Sequence, residues 1–283
     1  MAADTPSSPA CPPHGPPAVT RGPDAALPRR SFGSLRTISA LMLREMSTRY
    51  GRSPGGYVWA VIEPMGAILL LSFGFSLLVT APSLGNNFIL FYASGYLTFN
   101  MYQQLSLTVA RSIQFSKPLL FYPAVTWIDA VLARSILNTL TSTMVSGIIL
   151  VAILSLLETR TTIDIGPVIF SLFLAMLLGI GVGVMNCALL GLYPAWDLVW
   201  SIVTKPLFLA SAIFYIYEDM PQVVQNVLWY NPLVHISGIM RSGIYPTYVP
   251  EYVSLPFVLA SALTTMVLGL MLLYRHNRAI LEN

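Results

Sequence analysis

Two ionisable side chains lie inside long apolar stretches of this sequence. Glu63 stands before Pro64 in one stretch, and Lys205 stands before Pro206 in another. A charge inside a hydrocarbon layer is costly, so such residues commonly serve an ion or substrate pathway. Lys205 could meet an anionic ligand there, or its long side chain could reach the cytoplasmic surface. Glu63 could line the same pathway, or it could be a structural carboxylate paired with an arginine at the interface.

Aromatic residues recur at helical spacing in the stretch that begins at Phe88. Six rings there fall within an arc of about 140° on a helical wheel, and Gln103 joins them. Such a face suits a sugar, whose C–H face stacks on rings and whose hydroxyls bind an amide. The alternative is packing between helices or at the lipid interface. Helical spacing places Ser201, Phe208, Ala212 and Tyr215 on the face of Lys205. The predicted pathway residues are Glu63, Tyr92, Tyr96, Phe99, Tyr102, Gln103, Ser201, Lys205, Phe208 and Tyr215.

The composition indicates which elements must position these residues. Hydrophobic residues make up 55% of the 283 residues and charged residues only 10%, with a mean hydropathy of +0.69. Soluble domains carry about 25% charged residues, and a helix crosses a bilayer with roughly 20 apolar residues. We therefore predict an all-α membrane protein with six transmembrane helices, at 57–80, 88–107, 128–157, 166–192, 198–216 and 254–274. Neither cysteine has a His or Cys neighbour at metal-ligand spacing, so no metal site is expected.

Positive charge is distributed unevenly between the predicted loops. Seven arginines precede the first span, and Arg111 and Lys117 lie between the second and third spans. The loops on the opposite side hold only Arg160 and Arg241. Because positive residues favour the cytoplasmic side, we expect both termini in the cytoplasm. The net charge of +3 therefore reflects orientation in a membrane, and nucleic-acid binding is not expected.

Residues 35–50 fit an amphipathic helix that lies on the membrane surface, where its arginines meet membrane lipids. Pro-Gly-Gly at 54–56 then turns the chain into the first span. The proline-rich first 30 residues lack the apolar run of a signal peptide. The expected divisions are a disordered tail at 1–30, an interface helix and elbow at 31–56, and a membrane domain at 57–283. The residues singled out at the interface are Arg44, Arg49, Tyr50, Arg52, Tyr57 and Trp59.

Residues 217–253 are too polar and too interrupted for a full span. One short helical pattern runs to Trp229, and a second runs from the Asn-Pro step at Asn231 through His235 to Arg241. Two short helices separated in this way predict a re-entrant hairpin on the outer side, sheltered by protein. A metal site on the single His235 is not expected. Near the third span, Arg134 is expected to reach the surface or to pair with Asp129.

No phosphate-binding loop exists in this chain. Its two lysines follow Ser116 and Thr204, so the Gly-Lys-Ser/Thr signature cannot occur. If transport consumes ATP, the ATPase must be another chain.

Several of these stretches together resemble a known family. Leu-Arg-Glu at 43–45, Arg-Tyr-Gly at 49–51 and Gly-Tyr-Val-Trp-Ala-Val-Ile-Glu-Pro at 56–64 are similar to the N-terminal signature of ABC-2 type permeases that export capsular polysaccharide in Gram-negative bacteria. Arg-Ser-Ile at 111–113, Lys-Pro-Leu-Phe at 205–208 and Trp-Tyr-Asn-Pro-Leu-Val-His at 229–235 agree with it. The resemblance covers roughly residues 33–280 and is most specific in the interface helix and the Asn-Pro-Leu-Val-His segment.

The resemblance implies a concrete assembly in the inner membrane. A homodimer with six spans per subunit would bind two nucleotide-binding ATPase subunits, which hold ATP and Mg, so this chain itself would carry no cofactor and no catalytic residue. The cargo would be a lipid-linked, anionic capsular polysaccharide, passed on to a periplasmic co-polymerase and an outer-membrane export protein. The loop at about 109–123 would dock in the ATPase, and spans 1, 2 and 5 would line the pathway. The residues implied in ATPase coupling are Arg111, Ser112, Phe115 and Lys117, and those in the hairpin are Trp229, Asn231, His235 and Arg241.

Other functions fit the same sequence. The same architecture could export O-antigen, teichoic acid, another lipid-linked glycan or a small lipophilic drug. A membrane-embedded glycosyl- or acyltransferase would need paired acid and base residues at the membrane surface, and Asp129 and Asp197 are isolated in the sequence.

Overall fold

The structure is a computed structural model that describes residues 33–50, 55–120, 125–156 and 163–282. The predicted tail and Arg52 lie outside these residues, as do the side chains of Arg49 and Tyr50. The regular secondary structure of the described part is helical, as predicted. The helices are α1 Gly33–Tyr50, α2 Gly56–Ser76, α3 Phe88–Ala110, α4 Ser112–Leu120, α5 Trp127–Leu156, α6 Ile165–Leu192, α7 Trp196–Leu209, α8 Gln222–Leu228, α9 Pro232–Ile244 and α10 Leu255–Glu282, with a 3-10 turn at Tyr217–Asp219.

Four of the described helices are long and apolar enough to cross a membrane, namely α2, α5, α6 and α10 up to Asn277. Helix α3 has 23 residues, a length of about 35 Å, but Asn100, Gln103 and Gln104 make it more polar. Most of α3 is buried against other helices, so these side chains do not need to face lipid. Helix α7 has only 14 residues, which is shorter than a complete span.

Helix α6 lies at the centre of the described helices and packs against α3, α9 and α10. Glycines on α6 allow this close approach. A β-carbon added at Gly181 would lie 2.5 Å from the carbonyl oxygen of Ala262 in α10, and one at Gly179 would lie 2.9 Å from that of Tyr102 in α3. Side chains larger than hydrogen at these positions would force the helices apart, and small residues are common where membrane helices meet.

Two turns on either side of the predicted pathway differ from regular helix. Gly55, directly before α2, has a φ of 82°, and this left-handed conformation favours glycine at the predicted elbow. The span predicted at 198–216 is helical only as far as Leu209, and Ala212 has a φ of 54°. The prediction that Tyr215 shares a helical face with Lys205 is therefore wrong, because the helix has ended before it.

Both short helices predicted before the last span are present, as α8 and α9. The Asn231 side chain caps α9 by accepting a hydrogen bond from the Leu233 backbone N–H at 3.1 Å, which is a common role of asparagine before a helix. Helix α9 is buried along most of its length and packs against α6 and α3. The α9 arm of the hairpin is thus part of the core, whereas most of α8 is exposed, apart from the buried Leu228.

Candidate functional site

Helices α2, α3 and α7 line a groove of about 810 Å³. Leu70 and Leu71 line it on the α2 side, and Asn100 and Thr204 add polar groups. The structure brings six of the residues singled out from the sequence into this groove: Tyr96, Phe99, Gln103, Ser201, Lys205 and Phe208. The faces of α3 and α7 that helical periodicity selected independently therefore oppose each other.

The groove combines aromatic rings with one cation. Phe99 on α3 and Phe208 on α7 meet edge to face with ring centroids 5.0 Å apart, and Phe208 contacts Phe214 at 5.3 Å. Lys205 is exposed on the groove. Among the described residues, the ion pairs are Arg111–Asp197 and Arg134–Glu45, and Lys205 belongs to neither. The groove can therefore offer ring faces, amides, hydroxyls and an ammonium group to a bound molecule.

Four of the predicted pathway residues lie outside the groove, namely Glu63, Tyr92, Tyr102 and Tyr215. Tyr92 is only 3% exposed and packs against Phe75 and Phe91, each with a centroid distance of 5.3 Å. Tyr102 is 4% exposed in the core beside α6. Tyr215 donates a hydrogen bond from its hydroxyl to the Leu209 carbonyl at 3.2 Å. Helical spacing grouped Tyr92 and Tyr102 with Tyr96, but α3 is surrounded on several sides and only part of the aromatic face reaches the groove.

Glu63 lines a separate small pocket of about 80 Å³ between α2, α3 and α5. Its other polar lining residues are Asn100, Gln104, Asn138, Thr141 and Ser142. Pro64 has no backbone N–H, so it leaves the carbonyl of Ala60, also in this lining, without its usual helical donor. The pocket shares Asn100 with the groove but is too small for a sugar ring.

A buried ion pair joins the interface helix to α5. Arg134 Nε lies 2.9 Å from Glu45 Oε1, and Arg134 Nη1 donates to the Arg111 carbonyl at 2.9 Å. The Arg134 guanidinium also lies 4.4 Å from the centre of the Phe115 ring in α4. The predicted pairing of Arg134 with Asp129 is wrong. Asp129, at the start of α5, instead accepts hydrogen bonds from Thr126 and from Ser34 of α1. Arg134 therefore connects α1, α4 and α5.

The residues implied in ATPase coupling differ in exposure. Arg111 and Phe115 are exposed, Lys117 is partly buried, and Ser112 is buried with its hydroxyl 3.4 Å from Cys187 Sγ. Arg111 Nη2 also lies 3.0 Å from Asp197 Oδ1 and 3.2 Å from Asp197 Oδ2, in the first turn of α7. The start of α4 is thus joined to a wall of the groove.

The interface helix packs partly on protein. Ile38 and Leu41 are buried against Ala133 of α5, whereas Leu35 is 62% exposed. The predicted apolar face is therefore divided between contacts with the core and an exposed part. At the start of α2, both Tyr57 and Trp59 are exposed. Arg44 lies 5.6 Å from the Phe115 ring.

His235 is a structural residue of the hairpin. Its Nε2 lies 2.8 Å from the Trp229 carbonyl, and its Nδ1 lies 3.2 Å from the Ser254 backbone N–H. Nδ1 must accept that N–H, so Nε2 is the protonated nitrogen and the ring is neutral. Burial lowers the pKa of His235 below its ordinary value, which agrees with a neutral ring. Trp229 in turn stacks on Phe257 at 5.0 Å.

Arg241 is fully buried and holds the chain that follows α7. Its Nη1 donates to the Tyr215 carbonyl at 2.8 Å, and its Nη2 donates to the Ile213 carbonyl at 3.2 Å. The guanidinium also lies 4.5 Å from the centre of the Phe91 ring. The sequence does not reveal these partners of Arg241, because backbone carbonyls carry no residue-type signal.

Together, the fold and the groove define an all-helical membrane protein whose candidate site runs between its helices. Comparison of the sequence with protein families matches residues 36–245 to the ABC-2 type transporter family. The chain belongs to this family, as the resemblance of its motifs predicted.

Three relatives cover most of the chain. The polysialic acid transport protein KpsM of Escherichia coli is 29% identical over 249 residues, covering 87% of this chain and 96% of that protein. The capsule polysaccharide export inner-membrane proteins CtrC of Neisseria meningitidis serogroup A and BexB of Haemophilus influenzae are 27% and 24% identical, each covering 87% of this chain and 92% of that protein. The residues matched to the family, 36–245, include the lining of the groove.

Proposed function

We propose that this chain is the permease subunit of an ATP-driven exporter that moves a lipid-linked capsular polysaccharide across the inner membrane. Membership of the ABC-2 family and the names of the three relatives support the transport class and the cargo class. The observation that carries the proposal is the groove, where Lys205 lies on the same lining as Tyr96 and Phe208.

The chemistry of the groove fits an anionic glycan. Aromatic rings stack on the C–H faces of sugars, Gln103 and Ser201 can bind hydroxyls, and the Lys205 ammonium group can bind a carboxylate or phosphate. Its volume of about 810 Å³ lies within the range of about 300–1,000 Å³ that is common for ligand sites. Each of these groups would contact a repeating chain only briefly, which suits transport better than tight binding.

The proposed membrane topology has six spans and cytoplasmic termini. The four helices of spanning length and apolar composition would be joined by α3 and by α7 with the turn that follows it. The polar residues Asn100, Gln103 and Gln104 of α3 line the groove and the small pocket. The excess of arginine before α2 supports a cytoplasmic N-terminus. The α8–α9 hairpin would then lie on the outer side as a re-entrant element.

The proposed assembly is a dimer of this chain with two ATPase subunits. The exposed part of α4 and the neighbouring end of α1 are the surface proposed to contact the ATPase, because Arg134 and Phe115 make α1, α4 and α5 one connected cytoplasmic cluster. ATP and Mg would be held by the ATPase. A periplasmic co-polymerase and an outer-membrane export protein would receive the polysaccharide.

The experiment is to purify the chain together with its ATPase in lipid nanodiscs and to measure ATP turnover with added glycolipids. An anionic capsular glycolipid should raise turnover, and a neutral O-antigen glycolipid should raise it less. Equal stimulation by both would refute the anionic cargo. Failure to co-purify when both genes are expressed together would refute the exporter.

The transferase alternative would need paired acid and base groups near the membrane surface. Asp129 is bound by Thr126 and Ser34, and Asp197 is bound by Arg111. Neither aspartate lines the groove. We therefore retain transport as the proposal.

A further inference from the structure

Helix α7 forms one wall of the groove and is held both along its length and at its ends. None of its residues is buried in the described structure, although Ser201, Thr204, Lys205 and Phe208 line the groove. Membrane helices are held by van der Waals packing and hydrogen bonds to their neighbours. Between its ends, α7 packs on the core through the partly buried Trp200, Leu207 and Phe208, so its position also depends on the contacts at its two ends.

The outer end of α7 is fixed by buried and partly buried hydrogen bonds. Asn231 Nδ2 donates to the Ala210 carbonyl at 2.9 Å, and Ser237 Oγ donates to the Ser211 carbonyl at 3.1 Å. Arg241 holds the carbonyls of Ile213 and Tyr215 in the chain that follows. All of these donors belong to the α9 segment, which is packed in the core.

The cytoplasmic end is held differently. Trp196 Nε1 donates to Asn186 Oδ1 at 2.9 Å, and Asp197 pairs with Arg111. Both side chains of that ion pair are 54% exposed, and an exposed pair contributes little to folding stability. It can therefore break without unfolding the protein.

Arg111 is also well placed to transmit movement of α4. Its carbonyl accepts a hydrogen bond from Arg134 Nη1 at 2.9 Å and one from the Phe115 backbone N–H at 3.1 Å. The backbone of Arg111 is thus tied to α5 and to the first turn of α4, while its side chain reaches α7.

We propose that Arg111 and Asp197 are positioning residues of the groove, whose ion pair holds the cytoplasmic end of α7 and so sets where Lys205 stands. The role given to the groove rests on the proposed function, whereas the position of α7 can be measured without any cargo. With a helical rise of 1.5 Å per residue, Asp197 lies about 20 Å and Lys205 about 7.5 Å from the turn at Ala210. If α7 pivots as a rigid helix about that turn, Lys205 should move by about 0.4 of the displacement of Asp197.

The experiment uses a cysteine on each wall of the groove as a reporter. Ser201→Cys reports on α7 and Leu107→Cys reports on α3, since both residues line the groove. Each is placed in the full chain carrying Cys11→Ser, with the buried Cys187 retained, and is purified with the ATPase. The rate of reaction with a small water-soluble methanethiosulfonate reagent is then compared between Arg111→Asp, Asp197→Arg and the double charge swap.

Each single substitution should raise the labelling rate of Ser201→Cys at least fivefold and change that of Leu107→Cys less than twofold. The double swap should return the Ser201→Cys rate to within twofold of the parent, because it restores the ion pair with reversed charges. Unchanged rates in the single variants would overturn the proposal, as would a double swap that stays as reactive as the single variants. Equal acceleration at both reporters would indicate general loss of structure and would also overturn it. A failure of glycolipid to stimulate ATP turnover would contradict the proposed function and leave these rates unaffected.

Discussion

Replacing Glu45 with alanine should destabilise the protein much more than replacing Asp197. The Arg134 and Glu45 side chains are 12% and 3% exposed, whereas both partners of the Arg111–Asp197 pair are 54% exposed. Removing one member of a buried pair leaves an unsolvated charge and costs about 3–5 kcal/mol, whereas an exposed pair contributes about 0–1 kcal/mol. Arg134 keeps its bond to the Arg111 carbonyl, so we expect Glu45→Ala to cost about 3 kcal/mol.

Thermal unfolding in detergent measures this difference. One kcal/mol shifts the midpoint by about 2–4 °C in a domain of 150–250 residues, so Glu45→Ala should lower it by about 6–12 °C and Asp197→Ala by less than about 4 °C. Hydrogen exchange should show the largest loss of protection in α1, because Glu45 joins that helix to α5. Glu45→Met combined with Arg134→Met should recover most of the stability, since no charge then remains buried. Midpoints for Glu45→Ala and Asp197→Ala that agree within about 2 °C would refute the reasoning.

Three further outcomes can be checked. Lys205→Ala should slow export of an anionic glycolipid at unchanged membrane levels of the protein while Lys205→Arg retains most of it, and equal rates would remove Lys205 from the pathway. Tyr96→Leu should slow export with little effect on the melting midpoint, whereas the buried Tyr92→Leu should lower the midpoint, and the reverse pattern would contradict the assignment of these rings. Because burial lowers the pKa of His235, the unfolded state binds more protons than the folded state below its ordinary pKa of about 6.5. Stability should therefore fall as the pH falls through that region, and a midpoint with the same pH dependence in His235→Gln would argue against this account.

The helical repeat and nearby residue types were enough to predict the helix faces and the helix starts. The faces of α3 and α7 that carry Tyr96, Phe99 and Lys205 follow from the helical repeat alone, and they meet in the groove. The helix starts at Gly56 and Pro232 were visible for the same reason, since glycine permits a left-handed turn before a helix and proline fixes φ at its first position.

Contacts between distant segments could not be foreseen. Helix α7 stops at Leu209, and the carbonyls that follow it are bound by Arg241 and other side chains from a later segment. Arg134 pairs with Glu45, which lies far away in sequence, and not with the nearby Asp129. Nothing in residue type or spacing marks such partners, because they depend on how the helices pack.

The polar character of α3 bears on how the chain enters the membrane during synthesis. This helix is among the more polar of the long helices and yet has most of its residues buried. Its packing partner α2 is made before it, whereas α5, α6 and α9 are made after it. When α3 leaves the ribosome, the α5 residues that line the small pocket with Asn100 and Gln104 do not yet exist, and amides are costly against lipid. Stable insertion of α3 should therefore wait for later helices, so chains truncated before α5 should be more easily extracted by alkaline carbonate than chains that include α9. The order of synthesis and the order of membrane integration would then differ in this protein.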